Sequence, residues 1–210
     1  MIHIHTLSAF KPELKGVIRD IRAVWALEET ALPYKRIVMD PMKREHKNPE
    51  FLKLNPFGKV PVMTDEGMVL FESTAICTYI GDKTGKLIPK AGSADRARYD
   101  QWVAFAISTL EPHASRVFGF DFFHEMNQVK TELRNDSLNI IDGIMAGLDS
   151  ELSGRNYLLG NDFSIADIIL CTVYRSVIHT DVAAKHKNLS AYFDRCLNRP
   201  AAKKAFELNG

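Results

Sequence analysis

The stretch over residues 45–73, EHKNPEFLKLNPFGKVPVMTDEGMVLFES, limits the possible folds of this chain more than any other. Within it, a Pro-Phe-Gly turn leads into an apolar run at 60–63, and Gly67 reverses the chain into a second apolar run at 68–71. Two such runs joined by a short Gly-containing loop predict an antiparallel hairpin. The apolar spacing that follows the second run predicts a helix over residues 73–83.

The residues before this stretch predict a strand, a helix and a second strand. Isoleucine and histidine alternate over residues 2–5, as in a half-buried strand. A helical apolar period over residues 18–27 ends before Pro33, and residues 34–39 have the composition of a strand. Because a β-α-β unit pairs its strands in parallel, the chain over 1–84 predicts a thioredoxin-like α/β layer.

Turn residues without a clear period mark residues 85–92 as a linker, and the chain beyond it has helical patterns throughout. Apolar residues recur at helical spacing up to Pro112 and again over 129–152. Residues 165–178 are apolar on nearly every side, which predicts the buried central helix of a bundle. We therefore expect a second, all-α domain over residues 93–210.

Composition argues against several classes of function. The 210 residues are 46% hydrophobic with a formal net charge of +1, so the chain can build a sizeable core and has no basic surplus for nucleic acid or an anionic membrane. Its three cysteines, Cys77, Cys171 and Cys196, have neither disulfide-framework nor metal-site spacing, and Cys77 fits the inward face of its helix. With no signal-like amino terminus and no membrane-length apolar run, we expect a cytoplasmic protein without a metal.

Three further motifs accompany the hairpin stretch: RAVWALEE at 22–29, Leu-Pro-Tyr at 32–34 and NDFSIAD at 161–167. Within the last of them, a serine and an aspartate have the spacing of a capping box. Together with EHK-x-PEF-x-x-x-NPFGKVP, these motifs cover nearly the whole chain, and the sequence resembles the cytosolic glutathione transferase family in its phi/theta-like form. The resemblance implies a thioredoxin-like domain over 1–84, an all-helical domain over 93–210 and a role in detoxification. It also implies a homodimer, with an apolar contact from residues 51–57.

The resemblance further implies a site for glutathione, a small anionic peptide, as co-substrate. The Val60–Pro61 bond would be cis, which turns the Val60 N–H and C=O outward to pair with the extended peptide. At the γ-glutamyl end of the peptide, Glu72 would hold the ammonium and Ser73, an N-cap residue, the carboxylate. At the glycyl end, three side chains would donate to the second carboxylate: His46, Lys47 and Lys59.

Conjugation also needs a thiolate, which family members favour with a hydroxyl or thiol donor near the start of the first helix. Ser8 is the better of two hydroxyl candidates, since it lies just past the first strand. The usual spacing is not kept, because residues 9–21 separate Ser8 from Arg22; either the loop is longer or the helix begins earlier. Arg19 is a second candidate, as a cation at the helix start that stabilises a thiolate.

A small electrophile is the expected second substrate, bound between the two domains. Aromatic residues offer a lining for it: Phe10, Trp102, Phe105 and Phe118. Nucleophilic addition, aromatic substitution and peroxide reduction are all compatible with such a site. The lack of a cysteine near the end of the first strand disfavours a glutaredoxin-like or dehydroascorbate reductase activity. The alternative function is a catalytically weak, transferase-like binding or scaffold protein.

Overall fold

The computed structural model describes residues 1–208, and the chain divides into two compact units. The first unit comprises Met1–Ile88 and residues 199–208, and the second comprises Pro89–Asn198. A four-stranded sheet with helices forms the first unit, while helices and their connections form the second. This is the thioredoxin-like and all-helical architecture that the sequence predicts.

The sheet of the first unit has the strand order β2-β1-β3-β4. Its strands are β1 (Ile2–Leu7), β2 (Tyr34–Met39), β3 (Val62–Asp65) and β4 (Met68–Phe71). The accompanying helices are α1 (Asp20–Thr30), α2 (Pro49–Leu54) and α3 (Ser73–Thr84). β1 and β2 are parallel, whereas β1–β3 and β3–β4 are antiparallel. The predicted β-α-β unit, hairpin and following helix are therefore confirmed.

Buried and half-buried residues alternate along β1, and α2 covers the half-buried side. Phe51 of α2 packs there with Met39 and Val62. The Phe51 ring lies 5.7 Å from the ring of His5, and burial is the main reason why the pKa of His5 is lowered. The face of β1 that carries His5 is therefore not exposed to solvent. It is half-buried because the short helix α2 packs on it.

The hairpin turn is shorter than the sequence suggests. Glu66–Gly67 form it with φ angles of +50° and +89°, so Thr64 and Asp65 belong to β3. Asp65 is 4% exposed and accepts hydrogen bonds from Lys83 Nζ at 2.7 Å and from Tyr79 OH at 2.8 Å. The Lys83 bond, and then the Tyr79 bond, lower the pKa of Asp65. The Asp65 carboxylate can therefore lie buried at the end of β3, because Lys83 and Tyr79 of α3 donate hydrogen bonds to it.

The second unit contains five helices whose bounds are α4 (Ala94–Ala104), α5 (Glu111–Phe123), α6 (Gln128–Glu151), α7 (Ile165–Arg175) and α8 (Lys187–Leu197). A wider, π-type segment, Phe105–Leu110, joins α4 to α5. Pro112 accounts for this segment, since proline cannot donate to the carbonyl four residues earlier and its ring crowds that carbonyl. The apolar stripe of α6 is buried only in its later part. Val129, near the start of the helix, is 63% exposed. No helix within residues 1–208 combines the length and the apolarity needed to cross a membrane.

α7 is the buried centre of the second unit, as predicted, with every residue from 165 to 173 buried. The predicted capping box is confirmed: the Asp167 carboxylate accepts from the backbone N–H and from the hydroxyl of Ser164, both at 2.8 Å. The same carboxylate accepts from Leu158 N at 2.9 Å and from Tyr192 OH at 3.0 Å. Asp167 therefore ties the loop before α7 and the following helix α8 to one buried group.

The last helix, α9 (Pro200–Leu208), packs within the first unit, whereas the sequence pattern assigns it to a domain over 93–210. Arg199, just before α9, donates to both carboxylate oxygens of Glu29 on α1, at 2.6 and 2.7 Å. The Phe206 ring lies 5.6 Å from the Trp25 ring, also on α1. Since these partners are far apart in sequence, a local helical period cannot reveal them.

Candidate functional site

Segments that are distant in the sequence meet at one end of the sheet. His5 lies opposite Val62 in the β1–β3 pair, and Val62 lies opposite Phe71 in the β3–β4 pair. The carboxyl ends of β1 and β4 therefore lie beside the start of β3. This end of the sheet gathers three of the predicted site segments: Ser8, Val60–Pro61 and Glu72–Ser73.

The loop that leads into β3 is organised by Asn55, which is 2% exposed. Its side-chain oxygen accepts from Phe57 N at 3.1 Å, and its side-chain nitrogen donates to Lys59 O at 2.9 Å. The Gly58 N–H donates to the Asn55 carbonyl at 2.9 Å. One buried amide thus satisfies backbone groups on both sides of the turn. The sequence pattern does not predict this role of Asn55, although the Asn-Pro-Phe-Gly composition is a turn signal.

After this loop, the Val60–Pro61 peptide bond is cis, as the resemblance implies. β3 pairs with its neighbours only from Val62 onward, so Val60 lies outside the β ladder. Its side chain packs against the small core around Phe51. The Val60 backbone is therefore held at a sheet end where an extended ligand could pair with it.

Glu72 and Ser73 connect β4 to α3. Glu72 occupies the N-cap position with a φ of +73°, which residues with a side chain seldom adopt. Its carbonyl accepts from Ile76 N at 3.0 Å. Ser73 is the first helical residue rather than the expected N-cap; it is 5% exposed, and its hydroxyl accepts from Arg22 Nη1 at 3.1 Å. Unusual backbone angles such as that of Glu72 cluster at functional sites. The first N–H groups of α3 have no partner within the helix, so they are free to bind a ligand.

The residues expected at the glycyl end, His46, Lys47 and Lys59, lie close to Gly58 in the structure or in the sequence. The Lys47 ammonium donates to Phe57 O at 3.1 Å, and a Cβ on Gly58 would lie within 2.8 Å of the His46 carbonyl oxygen. Burial, then the positive charges of Lys47 and Lys59, lower the pKa of His46. The Nδ1 atom of His46 is buried and has no hydrogen-bond partner among the described residues. Positive charge and unused hydrogen-bonding capacity together suit an anion.

The connection between β1 and α1 is the longer of the two arrangements that the sequence allows, because α1 begins only at Asp20. The buried Asp20 carboxylate accepts from Leu7 N at 3.1 Å, which ties the start of α1 to the end of β1. The Ser8 hydroxyl donates to Met39 O at 3.4 Å, and Arg19 occupies the exposed N-cap position of α1. Both candidates for thiol activation thus lie at the same end of the sheet as the other segments.

The four aromatic residues expected to bind the electrophile have different surroundings. Phe10 is 46% exposed in the first unit. In the second unit, Trp102 and Phe105 are in edge-to-face contact at 5.5 Å, and Trp102 lines a cleft of about 380 Å³ that charged side chains of α4 and α6 also line. Phe118 packs on Phe122 with ring centroids 4.9 Å apart.

The three cysteines are buried and form no disulfide. Burial raises the pKa of Cys77 to about 12, so this thiol is a core group, as predicted, and not a nucleophile. Within residues 1–208, no group of three or more His, Cys, Asp or Glu side chains is arranged to hold a metal ion.

Two family models match the chain in order: the glutathione S-transferase N-terminal domain over residues 14–82 and the C-terminal domain over residues 107–200. Glutathione S-transferase 4 of Zea mays is 30% identical over 192 residues, with 87% of this chain and 85% of that protein covered. Elongation factor 1-gamma-A of Xenopus laevis is 33% identical over 161 residues, with 74% of this chain covered. Only 36% of the length of that relative is matched.

Solved structures agree with these matches along nearly the whole chain. Poplar glutathione transferase F1 has a TM-score of 0.87 at 27% identity, covering 99% of this chain and 97% of that one. A glutathione transferase from Burkholderia graminis, solved with two glutathione molecules bound per subunit, has a TM-score of 0.86 at 27% identity, covering 98% and 87%. With both domain models matched and a relative at 30% identity over most of its length, this chain belongs to the glutathione S-transferase family.

Proposed function

We propose that this chain acts as a glutathione transferase, whose first unit binds glutathione, favours its thiolate and presents the sulfur to a small electrophile. The observation that carries the proposal is the convergence of Val60–Pro61, Glu72–Ser73 and the cations around Gly58 in one unit. An extended backbone edge, a helix start and a cationic cluster match the backbone and the two carboxylates of glutathione. A family structure that contains glutathione supports the choice of ligand.

Each part of glutathione has a proposed partner. The Val60 N–H and C=O pair with the peptide backbone of the ligand. At the γ-glutamyl end, the Glu72 carboxylate binds the ammonium, while the Ser73 hydroxyl and the first N–H groups of α3 bind the carboxylate. The glycyl carboxylate binds to three side chains: His46, Lys47 and Lys59.

The chemistry requires a thiolate and a second substrate. Ser8 donates a hydrogen bond to the sulfur in this proposal, or Arg19 stabilises its charge, and the positive end of α1 contributes to either. The electrophile is a small molecule that contacts aromatic side chains: Phe10, Trp102, Phe105 and Phe118. Conjugation is the main reaction, with peroxide reduction as a side activity.

Two measurements test binding and catalysis separately. In titration calorimetry with glutathione, we expect measurable heat and a raised melting temperature. With glutathione and 1-chloro-2,4-dinitrobenzene, we expect turnover well above the uncatalysed rate. S-methylglutathione is the matched ligand control, because it can bind but cannot conjugate. The absence of both heat and thermal protection would contradict the proposal.

A second candidate function is that of a transferase-like binding or scaffold protein with little catalysis. Residues 9–21, which lead into α1, contain no serine, threonine, tyrosine or cysteine that could donate to the thiol. Relatives named elongation factor 1-gamma also match 74% of this chain. Glutathione binding without turnover would favour this candidate over the enzyme, and absence of both would indicate a pure interaction protein.

We also propose a cytoplasmic homodimer. Phe57 is 65% exposed and lies edge-on to Phe71 at 5.9 Å, so it offers an apolar contact to a second copy. Phe51, at the start of the expected contact segment, is 4% exposed and belongs to the core, so it does not take part. Light scattering should give twice the single-chain mass of 23.7 kDa, and Phe57→Ser should lower that mass. A single-chain mass for the unmodified protein would contradict the dimer.

A further inference from the structure

A buried hydrogen bond joins α1 to α3 at the proposed γ-glutamyl end of the site. Arg22 is 2% exposed, and its Nη1 atom lies 3.1 Å from the hydroxyl oxygen of Ser73. Ser73 is itself 5% exposed. Because the donors of a buried guanidinium need acceptors, this contact holds the Ser73 hydroxyl in a fixed position relative to α1.

The hydrogen bond restricts the direction of the proton that Ser73 carries. A serine hydroxyl has one proton and two lone pairs, whereas a guanidinium can only donate. With one lone pair engaged by Arg22, the Ser73 O–H is directed away from the guanidinium, toward another acceptor. A carboxylate at the start of α3, a helix of 12 residues, would accept from this hydroxyl and from the first N–H groups.

Arg22 also places positive charge beside the start of α3. Cys77 lies one turn beyond Ser73, and the charge of Arg22 opposes the rise that burial causes in the pKa of Cys77. The charge of Arg22 therefore acts on the first two turns of α3, next to the helix start at which a bound carboxylate would lie. An oriented donor and a buried cation both favour an anion over a neutral group.

We propose that Arg22 is the positioning residue that makes this site select ligands with a free α-carboxylate on the γ-glutamyl end. Arg22 acts through Ser73, because it orients the hydroxyl as a donor and supplies the charge that attracts the carboxylate. This inference rests on the proposed function and concerns one part of the same site.

Calorimetry with two ligands tests the inference: glutathione, and 4-aminobutanoyl-cysteinyl-glycine, which lacks only the α-carboxylate. For the unmodified chain we expect glutathione to bind about tenfold to a hundredfold more tightly than the analogue. Arg22→Lys keeps the charge but loses the planar fork, and Arg22→Gln keeps a donor but loses the charge. In both variants the Kd for the analogue should exceed the Kd for glutathione by a smaller factor than in the unmodified chain. The factor should be smallest in the glutamine variant.

Arg195→Lys is the matched control, since Arg195 lies in the second unit and donates to Asn156 O at 3.3 Å. It should leave both Kd values unchanged. An Arg22 variant that loses affinity for the two ligands equally would overturn the inference, because Arg22 would then support the fold alone.

Ser73→Ala keeps the test decisive if the Arg22 variants do not fold. It removes the oriented hydroxyl, so the Kd values for glutathione and for the analogue should become more similar. An unchanged ratio in Ser73→Ala would overturn the inference. An unmodified chain that binds both ligands equally well would refute this inference alone, whereas one that binds neither would refute the proposed function.

Discussion

A Cβ atom on Gly58 would lie 2.7 Å from the Nζ atom of Lys47. The same Cβ would lie 2.8 Å from the backbone oxygen of His46, and Gly58 has a φ of +56°. The backbone at this position is therefore in the left-handed region and in contact with the cationic side of the proposed site. Both the conformation and the close approach require glycine.

Gly58→Ala should weaken glutathione binding as well as the fold. The left-handed backbone costs about 1–2 kcal/mol for alanine, and the contact with His46 adds to this because a backbone oxygen cannot move alone. Displacement of Lys47 and His46 should raise the Kd for glutathione by about tenfold or more. Chemical denaturation and calorimetry would measure the two effects.

Gly85→Ala is the matched control for this substitution. Gly85 has a similar φ of +64°, but no atom of the described residues lies within 4 Å of its added Cβ. It should therefore show the backbone cost alone, without a change in glutathione affinity. Equal effects of the two variants on binding would show that the contact between Gly58 and Lys47 does not shape the site.

Binding of S-methylglutathione, which has no ionisable thiol, should become tighter as the pH falls toward 5.5. Burial and the charges of Lys47, Lys59 and Arg44 lower the pKa of His46 below its usual value of 6.5, so the free protein holds a neutral imidazole at neutral pH. A bound carboxylate offsets these charges and raises that pKa, so binding takes up a proton. The ligand carboxylates stay ionised in this range, and affinity should rise severalfold between about pH 7.5 and about pH 5.5.

Calorimetry at the two pH values checks this linkage, with His46→Gln as the variant that cannot titrate. The variant should bind with nearly the same affinity at both values, while the exposed His124→Gln control should behave like the unmodified chain. Affinity that is independent of pH in the unmodified chain would exclude His46 from the anion site.

Ser8→Ala should lower turnover and raise the pKa of the bound thiol, because a hydroxyl donor stabilises a thiolate. In the structure the Ser8 hydroxyl donates to Met39 O at 3.4 Å, a long hydrogen bond that it can exchange for the sulfur. The pH dependence of the conjugation rate measures this effect. An unchanged profile removes Ser8 from the mechanism and makes Arg19→Met the next variant to test.

Asp167→Ala should destabilise the second unit by about 3–5 kcal/mol, because it leaves several buried donors without an acceptor. These donors include Leu158 N, Ser164 N and Tyr192 OH. Ser93→Ala is a suitable comparison, since the half-buried Ser93 hydroxyl caps α4 by accepting from Arg96 N and also donates to Lys90 O at 2.7 Å. Its loss should cost about 1 kcal/mol. Similar losses in the two variants, measured by urea denaturation, would contradict the role of Asp167.

Local patterns predicted those elements whose residues interact with near neighbours in the sequence. The alternation in β1, the apolar period of α7 and the spacing of Ser164 and Asp167 each follow from a fixed number of residues per repeat. Element ends were harder to predict. In the sequence Asp65 has the character of a loop residue, and only its bond to Lys83 of α3 explains its place in a strand. The start of α1 at Asp20 likewise depends on a distant contact, since the Asp20 carboxylate accepts from the N–H of Leu7.

By itself, the sequence determined the two-unit architecture, the order of elements and the family, because hydrophobic periodicity and turn residues are properties of short segments. Only the tertiary structure decided that Arg22 meets Ser73, that Asn55 organises the loop before Val60, and that Arg199 holds α9 to Glu29 on α1. Those contacts depend on how separate elements pack together, and a pattern within one element carries no information about the side chain that will lie opposite it.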